Sequence, residues 1–262
     1  MKKMIPKIIH QMAPKNKELW NFVWDKCHLS WKEKFPIDEY EHIMWDDEKI
    51  DKFIESEFPE YVKFYYSLPF HIIQLDFARF CILYKYGGIY ADMDYYCSEN
   101  FYHDLNKDLV FVESCSEHGD EIIQNSLMCS KKNNHMLKEI IEKCVENFYK
   151  YEIIDDFIHE KQNLYIRLIC GPVLLTQYYN SIDDREKIQI LKKELYNPNI
   201  NYVESDSRIK TIHFLTGIWG KDERKLIFRT IEKNKDFKSF SFERWKNFRH
   251  IHYQKFSSIF EQ

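Results

Sequence analysis

The sequence predicts an α/β fold: helices packed on a largely parallel sheet. Short apolar runs of strand length alternate with longer helical patterns along the chain. Hydrophobic residues fill 44% of the 262 positions and aromatic residues 17%, enough for one large core. Six glycines and seven prolines leave little room for flexible linkers, and no internal repeat or low-complexity tract interrupts the pattern.

Taken in order, Ile5 to Gln11 reads as a first buried strand. Glu18 to Lys34 is predicted helical, because Trp20, Val23, Trp24, Cys27 and Trp31 recur at spacings of three and four. Tyr40 to Trp45 reads as a second strand, and Asp46 to Phe58 as a helix opening on acids. Ile72 to Tyr86 is apolar on most sides, which predicts a buried helix. Ile89 to Ala91, Asp108 to Glu113 and Asn125 to Ser130 are short strand candidates. Helices are expected over His135 to Tyr151, Pro172 to Asn180 and Arg185 to Leu195, and a late strand over Lys210 to Leu215.

The formal charge of −4 offers no global attraction to nucleic acid, so no nucleic-acid partner is expected. Seven cysteines are spread without a close pair, which predicts free thiols in a reducing compartment rather than disulfides or a zinc site. The start, Met-Lys-Lys-Met-Ile-Pro, lacks an apolar run of signal-peptide length. No uninterrupted apolar stretch approaches the roughly 20 residues that cross a bilayer. A cytoplasmic protein is expected, with membrane contact peripheral on the inner face.

The stretch from Asp76 to Asp94 carries the chemistry. Gly87-Gly88 ends a helix as a C-cap would and allows close backbone approach. Ile89-Tyr90-Ala91 then delivers Asp92 and Asp94 to the carboxyl end of a strand, where ligands bind in open α/β sheets. Residues two apart in extended chain point to one side, so both carboxylates can face one cation. Hard oxygen ligands of this kind suit Mg²⁺ or Mn²⁺ together with substrate phosphates. An Asp-x-Asp alone is a common tripeptide, and its context gives it weight. Asp76 and Arg79, three apart on the preceding helix, share a face. They form either an internal salt bridge or a grip on a sugar and a diphosphate.

Asp76-x-x-Arg79 followed by Tyr86-Gly87-Gly88-Ile89-Tyr90-x-Asp92-x-Asp94 resembles the signature of glycosyltransferase family 32, which includes Golgi mannosyltransferases and bacterial capsular-polysaccharide enzymes. The glucosylating domains of large bacterial toxins are more distantly similar. Ile5 to Gln11 resembles the family's first strand and Trp45-Asp46-Asp47 its second; Gly171-Pro172 with Thr176, and His213 followed by Trp219, resemble later landmarks. The resemblance implies a GT-A-type, Rossmann-like mixed sheet flanked by helices. It also implies a nucleotide-sugar donor, Mn²⁺ or Mg²⁺, and retention of configuration, in the service of cell-surface polysaccharide synthesis. UDP-sugars are expected ahead of GDP-mannose, with a glycan or lipid-linked acceptor. Carried over by position, Asp94 binds the metal, Asp92 the ribose and metal, and Asp76 and Arg79 the sugar and phosphates. Ile9, His10 and Gln11 line the nucleotide pocket. Ile218 stands where the family often has Ser before Trp, which removes a hydroxyl contact there.

His213, at a strand end, reads either as a third metal ligand or as a structural imidazole. Trp219, between glycines, reads as a lid over the donor or as a core cap. Asn125 and Glu113, at strand ends, could reach sugar hydroxyls. Two other functions compete. A haloacid-dehalogenase-like phosphatase also uses Asp-x-Asp after a strand, but there a small residue and Thr follow, whereas Tyr95-Tyr96 follow here. A non-catalytic sugar-binding module could use a metal, but would not need the Asp76–Arg79 pair.

Residues 1–235 are expected to form the catalytic domain and 236–262 a helical tail. In that tail Trp245, Phe248, His252, Phe256 and Ile259 fall on one stripe flanked by Arg and Lys, which suits either an anionic membrane surface or packing on the core.

Overall fold

A computed structural model describes residues 5–20, 22–115, 122–151, 159–198 and 208–214. The chain opens with β1 (Ile8–Met12), α1 (Phe22–Lys34), β2 (Glu41–Trp45), α2 (Asp47–Glu57), α3 (Val62–Ser67), α4 (His71–Tyr86) and β3 (Gly88–Ala91). It continues with β4 (Tyr95–Cys97), β5 (Leu109–Glu113), β6 (Ile123–Ser130), α5 (His135–Lys150), α6 (His159–Ile169) and α7 (Pro172–Ser181). The last described elements are β7 (Ile188–Leu191), α8 (Lys193–Tyr196) and β8 (Thr211–His213).

Six strands form one sheet in the order β2-β1-β3-β6-β5-β7. β2, β1 and β3 run parallel, as do β5 and β7, while β6 is antiparallel to both its neighbours. The sheet is therefore mixed, as the GT-A resemblance implied and less purely parallel than the alternation alone suggested. β4 and β8 pair separately as a small antiparallel sheet.

Both faces of the large sheet are covered, so its strands read as continuous apolar runs. Alternation then assigns each residue a side. Tyr90, Leu109, Phe111 and Met128 face the helical layer of α4, α5 and α7. Ile89, Ala91, Val110 and Leu127 face the opposite cluster, with Trp31 and Phe35 of α1 and Phe101. α4 lies inside this packing with nine buried residues, two of them Asp76 and Arg79. Asp46 caps α2 by accepting the Lys49 N–H at 3.0 Å, which fixes the turn after β2.

One expected helix is overturned. Arg185 to Leu195 holds a 3-10 turn at Arg185–Lys187, then β7, then the short α8. Ile188 and Ile190 are β-branched, and Ile188 to Leu191 pair in register with Leu109 to Val112. Pairing with β5 outweighs the helix-forming Lys and Glu on either side. The elements α3, α6 and β4 have no counterpart in the sequence reading. Residues 236–262 and Trp219 lie outside the described residues. All seven cysteines are free thiols, six of them buried. Among the described residues no helix is long and apolar enough to cross a membrane.

Candidate active site

The site begins with two glycines that let the chain turn from α4 into β3 close beside β1. Gly87 has φ +69° and closes α4 with its N–H on the Leu83 carbonyl. Gly88 has φ +100°, and a Cβ there would stand 2.5 Å from the Ile8 carbonyl oxygen. A side chain at either position is excluded by conformation and by space.

β3 ends at Ala91, and the acids follow in a turn. The Asp92 N–H donates to the Ser126 carbonyl at 2.9 Å, and the Tyr95 N–H returns to the Asp92 carbonyl at 3.1 Å. This corrects the expectation that extended alternation sets the two carboxylates side by side. The turn does so, by burying Met93 against Ala13 and Trp24.

Asp92 is held from the α4 side. Tyr90, two residues earlier and on the same side of the strand, donates its hydroxyl to Asp92 Oδ1 at 2.7 Å. Arg79 Nη1 lies 3.4 Å from that oxygen, and its guanidinium packs over the Tyr90 ring at 4.9 Å. The same guanidinium donates to the Asn125 carbonyl at 3.0 Å and pairs with Asp76 Oδ1 at 2.8 Å. Asn125 Nδ2 completes the ring of contacts, donating to Asp76 at 3.1 Å and to the Cys170 carbonyl at 3.3 Å. Asp76 and Arg79 thus form an internal ion pair, each side chain under 10% exposed. Burial pushes the Asp76 carboxyl up to about 7, against the lowering pull of Arg79 and Asn125. Burial also raises Asp92, with Arg79 opposing and Asp94 reinforcing the shift. Burial works against the Arg79 charge, but Asp76 and Asp92 outweigh it and hold the guanidinium firmly ionised.

Asp94 is met from the other side. β8 pairs with β4 so that His213 stands opposite Tyr95, their rings stacked at 4.5 Å. His213 Nε2 lies 3.2 Å from Asp94 Oδ1, and the Phe214 N–H donates to the Asp94 carbonyl at 3.0 Å. Asp92, Asp94 and His213 each offer a ligand atom, all within 4.8 Å of one another. Two carboxylate oxygens and an imidazole nitrogen make a donor set that a divalent cation can use. With Asp76 balanced by Arg79, the two remaining carboxylates match a divalent charge. The structure therefore brings together Asp76, Arg79, Asp92, Asp94 and His213 as the sequence proposed.

The first strand divides differently. Ile9 and Gln11 face α1 and help line a cleft of about 580 Å³ between α1 and the β1–β2 edge. His10, expected to line a nucleotide pocket with them, turns to the opposite face by the alternation of the strand. It is fully buried, with Nε2 donating to the Gly87 carbonyl at 2.8 Å and Nδ1 accepting from the Trp45 indole at 3.2 Å. Burial lowers its pKa to about 4, so it is a neutral structural ring. Glu113 is also an anchor: its carboxylate accepts the Lys193 N–H at 3.3 Å and its carbonyl accepts from Asn197 at 3.0 Å. Sequence reasoning missed Tyr90 as a support for Asp92, although its position two residues upstream carried the signal. It also missed His28, which binds the Gln11 side chain from α1.

Residues 21–117 match the family profile described as a glycosyltransferase sugar-binding region containing a DXD motif. The chain is 32% identical over 152 residues to inositol phosphoceramide mannosyltransferase 3 of Schizosaccharomyces pombe, covering 56% of this chain and 39% of that protein. It is 25% identical over 213 residues to inositol phosphoceramide mannosyltransferase 1 of the same yeast, covering 78% of this chain and 62% of that one. The chain thus spans less than two thirds of these relatives' length. Its fold matches a crystal structure of a glycosyltransferase involved in glycosylation of the major capsid of PBCV-1, with a TM-score of 0.52, 11% identity, and coverage of 86% of this chain and 100% of that one. Residues 21–117 are thus similar to a DXD-containing glycosyltransferase sugar-binding region, carried on a mixed α/β fold of the GT-A type.

Proposed function

We propose that the chain transfers a hexose from a nucleotide sugar to a lipid-linked or glycan acceptor, with a divalent cation and with retention of configuration. The observation that carries this reading is the Asp92, Asp94 and His213 cluster inside the matched sugar-transferase region. When bound, Mn²⁺ or Mg²⁺ would neutralise charge growing on the departing diphosphate.

The chain's own residues prepare that site. Arg79 and Tyr90 fix one oxygen of Asp92, which leaves its other oxygen for the cation side. Asp76 and Asn125 hold Arg79 in place, so its charge is preorganised near the reacting phosphates rather than reorganised during the step. The acceptor hydroxyl attacks the anomeric carbon on the face the diphosphate leaves, and a diphosphate oxygen takes the proton. This route needs no covalent nucleophile or general base from the protein. Isolation of a glycosyl-enzyme adduct, or of an inverted product, counts against it.

The sequence reading put UDP-sugars first, whereas the fungal relatives are named mannosyltransferases acting on an inositol phosphoceramide. Those names favour mannose and a lipid acceptor for the first assays. The basic-aromatic stripe between residues 237 and 260 would bring the chain to an anionic membrane, and the free thiols fit a cytoplasmic setting. Unchanged liposome binding after deletion of 237–262 would remove the membrane part.

The test is metal-dependent turnover of GDP-mannose, UDP-glucose, UDP-galactose and UDP-N-acetylglucosamine, with and without a lipid acceptor. One donor should be consumed only with Mn²⁺ or Mg²⁺, and Asp94→Asn should lower the rate at least about a hundredfold. Sugar binding without turnover would support a sugar-binding module instead.

A further inference from the structure

β6 leaves its regular pairing at the point where it meets the charged network. Phe111 of β5 lies opposite Met128, but the next β5 residue, Val112, lies opposite Gln124. Asn125, Ser126 and Leu127 therefore bulge out of the β5 pairing, while Leu127 still pairs with Ala91 of β3. Bulges of this kind re-aim a strand's groups. Here the Asn125 carbonyl accepts from Arg79 at 3.0 Å and its side chain donates to Asp76 at 3.1 Å. The Ser126 carbonyl accepts the Asp92 N–H at 2.9 Å. A segment released from one neighbour needs other anchors to hold such contacts within about 0.5 Å.

α7 and the residue leading into it grip the bulge at two points. The Cys170 carbonyl accepts from Asn125 Nδ2 at 3.3 Å. Farther along, the Thr176 hydroxyl oxygen accepts the N–H groups of Ile122 at 3.0 Å and Ile123 at 3.3 Å. From the β5 side, the Ser114 N–H donates to the Ile122 carbonyl at 2.8 Å, and Gln124 Nε2 donates to Ser114 Oγ at 3.0 Å.

The two sets of anchors act in different directions. Pairing with β5 runs within the plane of the sheet, whereas α7 belongs to the helical layer packed on its face. Thr176 therefore sets how far the start of β6 stands from that layer, which also contains α4 and its Arg79. A hydroxyl oxygen has two lone pairs, so both N–H bonds can be made at once. Thr176 is 5% exposed, which keeps water from replacing either bond.

We propose that Thr176 is a positioning residue for the transfer. By holding the start of β6 against α7, it keeps the Asn125 side chain on Asp76 and the Asn125 carbonyl on Arg79. The Arg79 charge thereby stays beside Asp92. The proposal rests on the transferase reading above and adds a residue that acts through Asn125.

The experiment compares Thr176→Val, which keeps the shape and removes the acceptor, with Thr176→Ser, which keeps the hydroxyl, both in the full chain. Thr176→Val should lower kcat at least about tenfold and change KM for the donor less than about threefold. Thr176→Ser should stay within about threefold of the unaltered chain in both. In an Asn125→Ala background the kcat loss from Thr176→Val should vanish, because the residue through which it acts is gone. An equal loss in both backgrounds, an equal loss with Val and Ser, or an unchanged kcat with Val overturns the proposal. Hydrogen exchange of the unaltered protein requires no variant to fold. The Ile122 and Ile123 amides should be protected at least about a hundredfold, and rapid exchange at both overturns the assignment. If no donor is turned over, the transferase reading falls by itself. The positioning is then decided by the Asn125 side-chain amide signals, which should move in Thr176→Val and stay in Thr176→Ser; signals unmoved in both overturn it.

Discussion

Asp92 and Asp94 are two residues apart, yet they are held by different kinds of structure. Asp92 is fixed from α4, β3 and β6, where Tyr90, Arg79, Asn125 and Asp76 form one buried network. Asp94 is met by His213 on a three-residue strand whose partner is the equally short β4. The first arrangement is central to the sheet and supplies charge balance inside the protein. The second is an addition at the edge of the fold, and it supplies the ligand that makes two carboxylates into a three-donor cluster. Orientation therefore comes from the core and completeness from the periphery.

Removing the cation of the central network should have the largest effect. Arg79→Met leaves the buried Asp76 and the half-buried Asp92 without a counter-charge and should lower stability by about 3–5 kcal/mol in urea unfolding. A loss under about 1 kcal/mol would show that the two regions do not differ as described.

His10 tests the same side through pH. It ties β1 to the Gly87 turn, and its folded pKa of about 4 lies below the ordinary 6.5. Above pH 6.5 the ring is neutral in both states and its contribution is whole. As pH falls toward 4 the unfolded chain takes up the proton and the folded chain resists, so stability declines by up to about 3 kcal/mol. His10→Gln should flatten that limb in melts recorded from pH 4 to 7, whatever it does to stability at neutral pH.

On the peripheral side, His213→Asn should weaken Mn²⁺ binding at least about tenfold, near 1.4 kcal/mol, with little change in unfolding without metal. A Mn²⁺ titration followed by electron paramagnetic resonance reads this directly. The smallest effect belongs to Tyr90→Phe, which removes one hydrogen bond to Asp92 and should cost about 1 kcal/mol. If it weakened Mn²⁺ more than His213→Asn did, the roles assigned to the two sides would be reversed.

The α4–β3 block was legible in the sequence because its parts are local. A double glycine, a short apolar strand and two acids lie within eight residues, and Asp76 and Arg79 lie one helical turn apart. The chain's first strand was legible as a strand, but the side each residue takes was not: His10 and Gln11 look equally polar and both are buried, and only the packing on the two faces shows that His10 meets the Gly87 turn while Gln11 meets His28 of α1. β7 was hidden for a related reason, since Arg-Glu-Lys before it and Lys-Lys-Glu after it favour helix, and β5 decides otherwise. The meeting of Asp94 with His213 was suggested by a distant motif, and its geometry depends on β4, a strand too short to be read from three residues.

That meeting also has a consequence for the chain as a polymer. His213 is well over a hundred residues downstream of Asp94, so a cation held by both closes a very long loop. Closing such a loop is entropically unfavourable by an amount that grows only slowly with its length. Here much of it is already met by β8 pairing and by Lys210, which bonds to Asp104 at 2.7 Å and accepts two backbone N–H groups from Ser98 and Glu99. The ion would act as a removable cross-link between an early segment and a late one. Its occupancy and the pairing of β8 with β4 are then coupled quantities, each strengthening the other by the same factor.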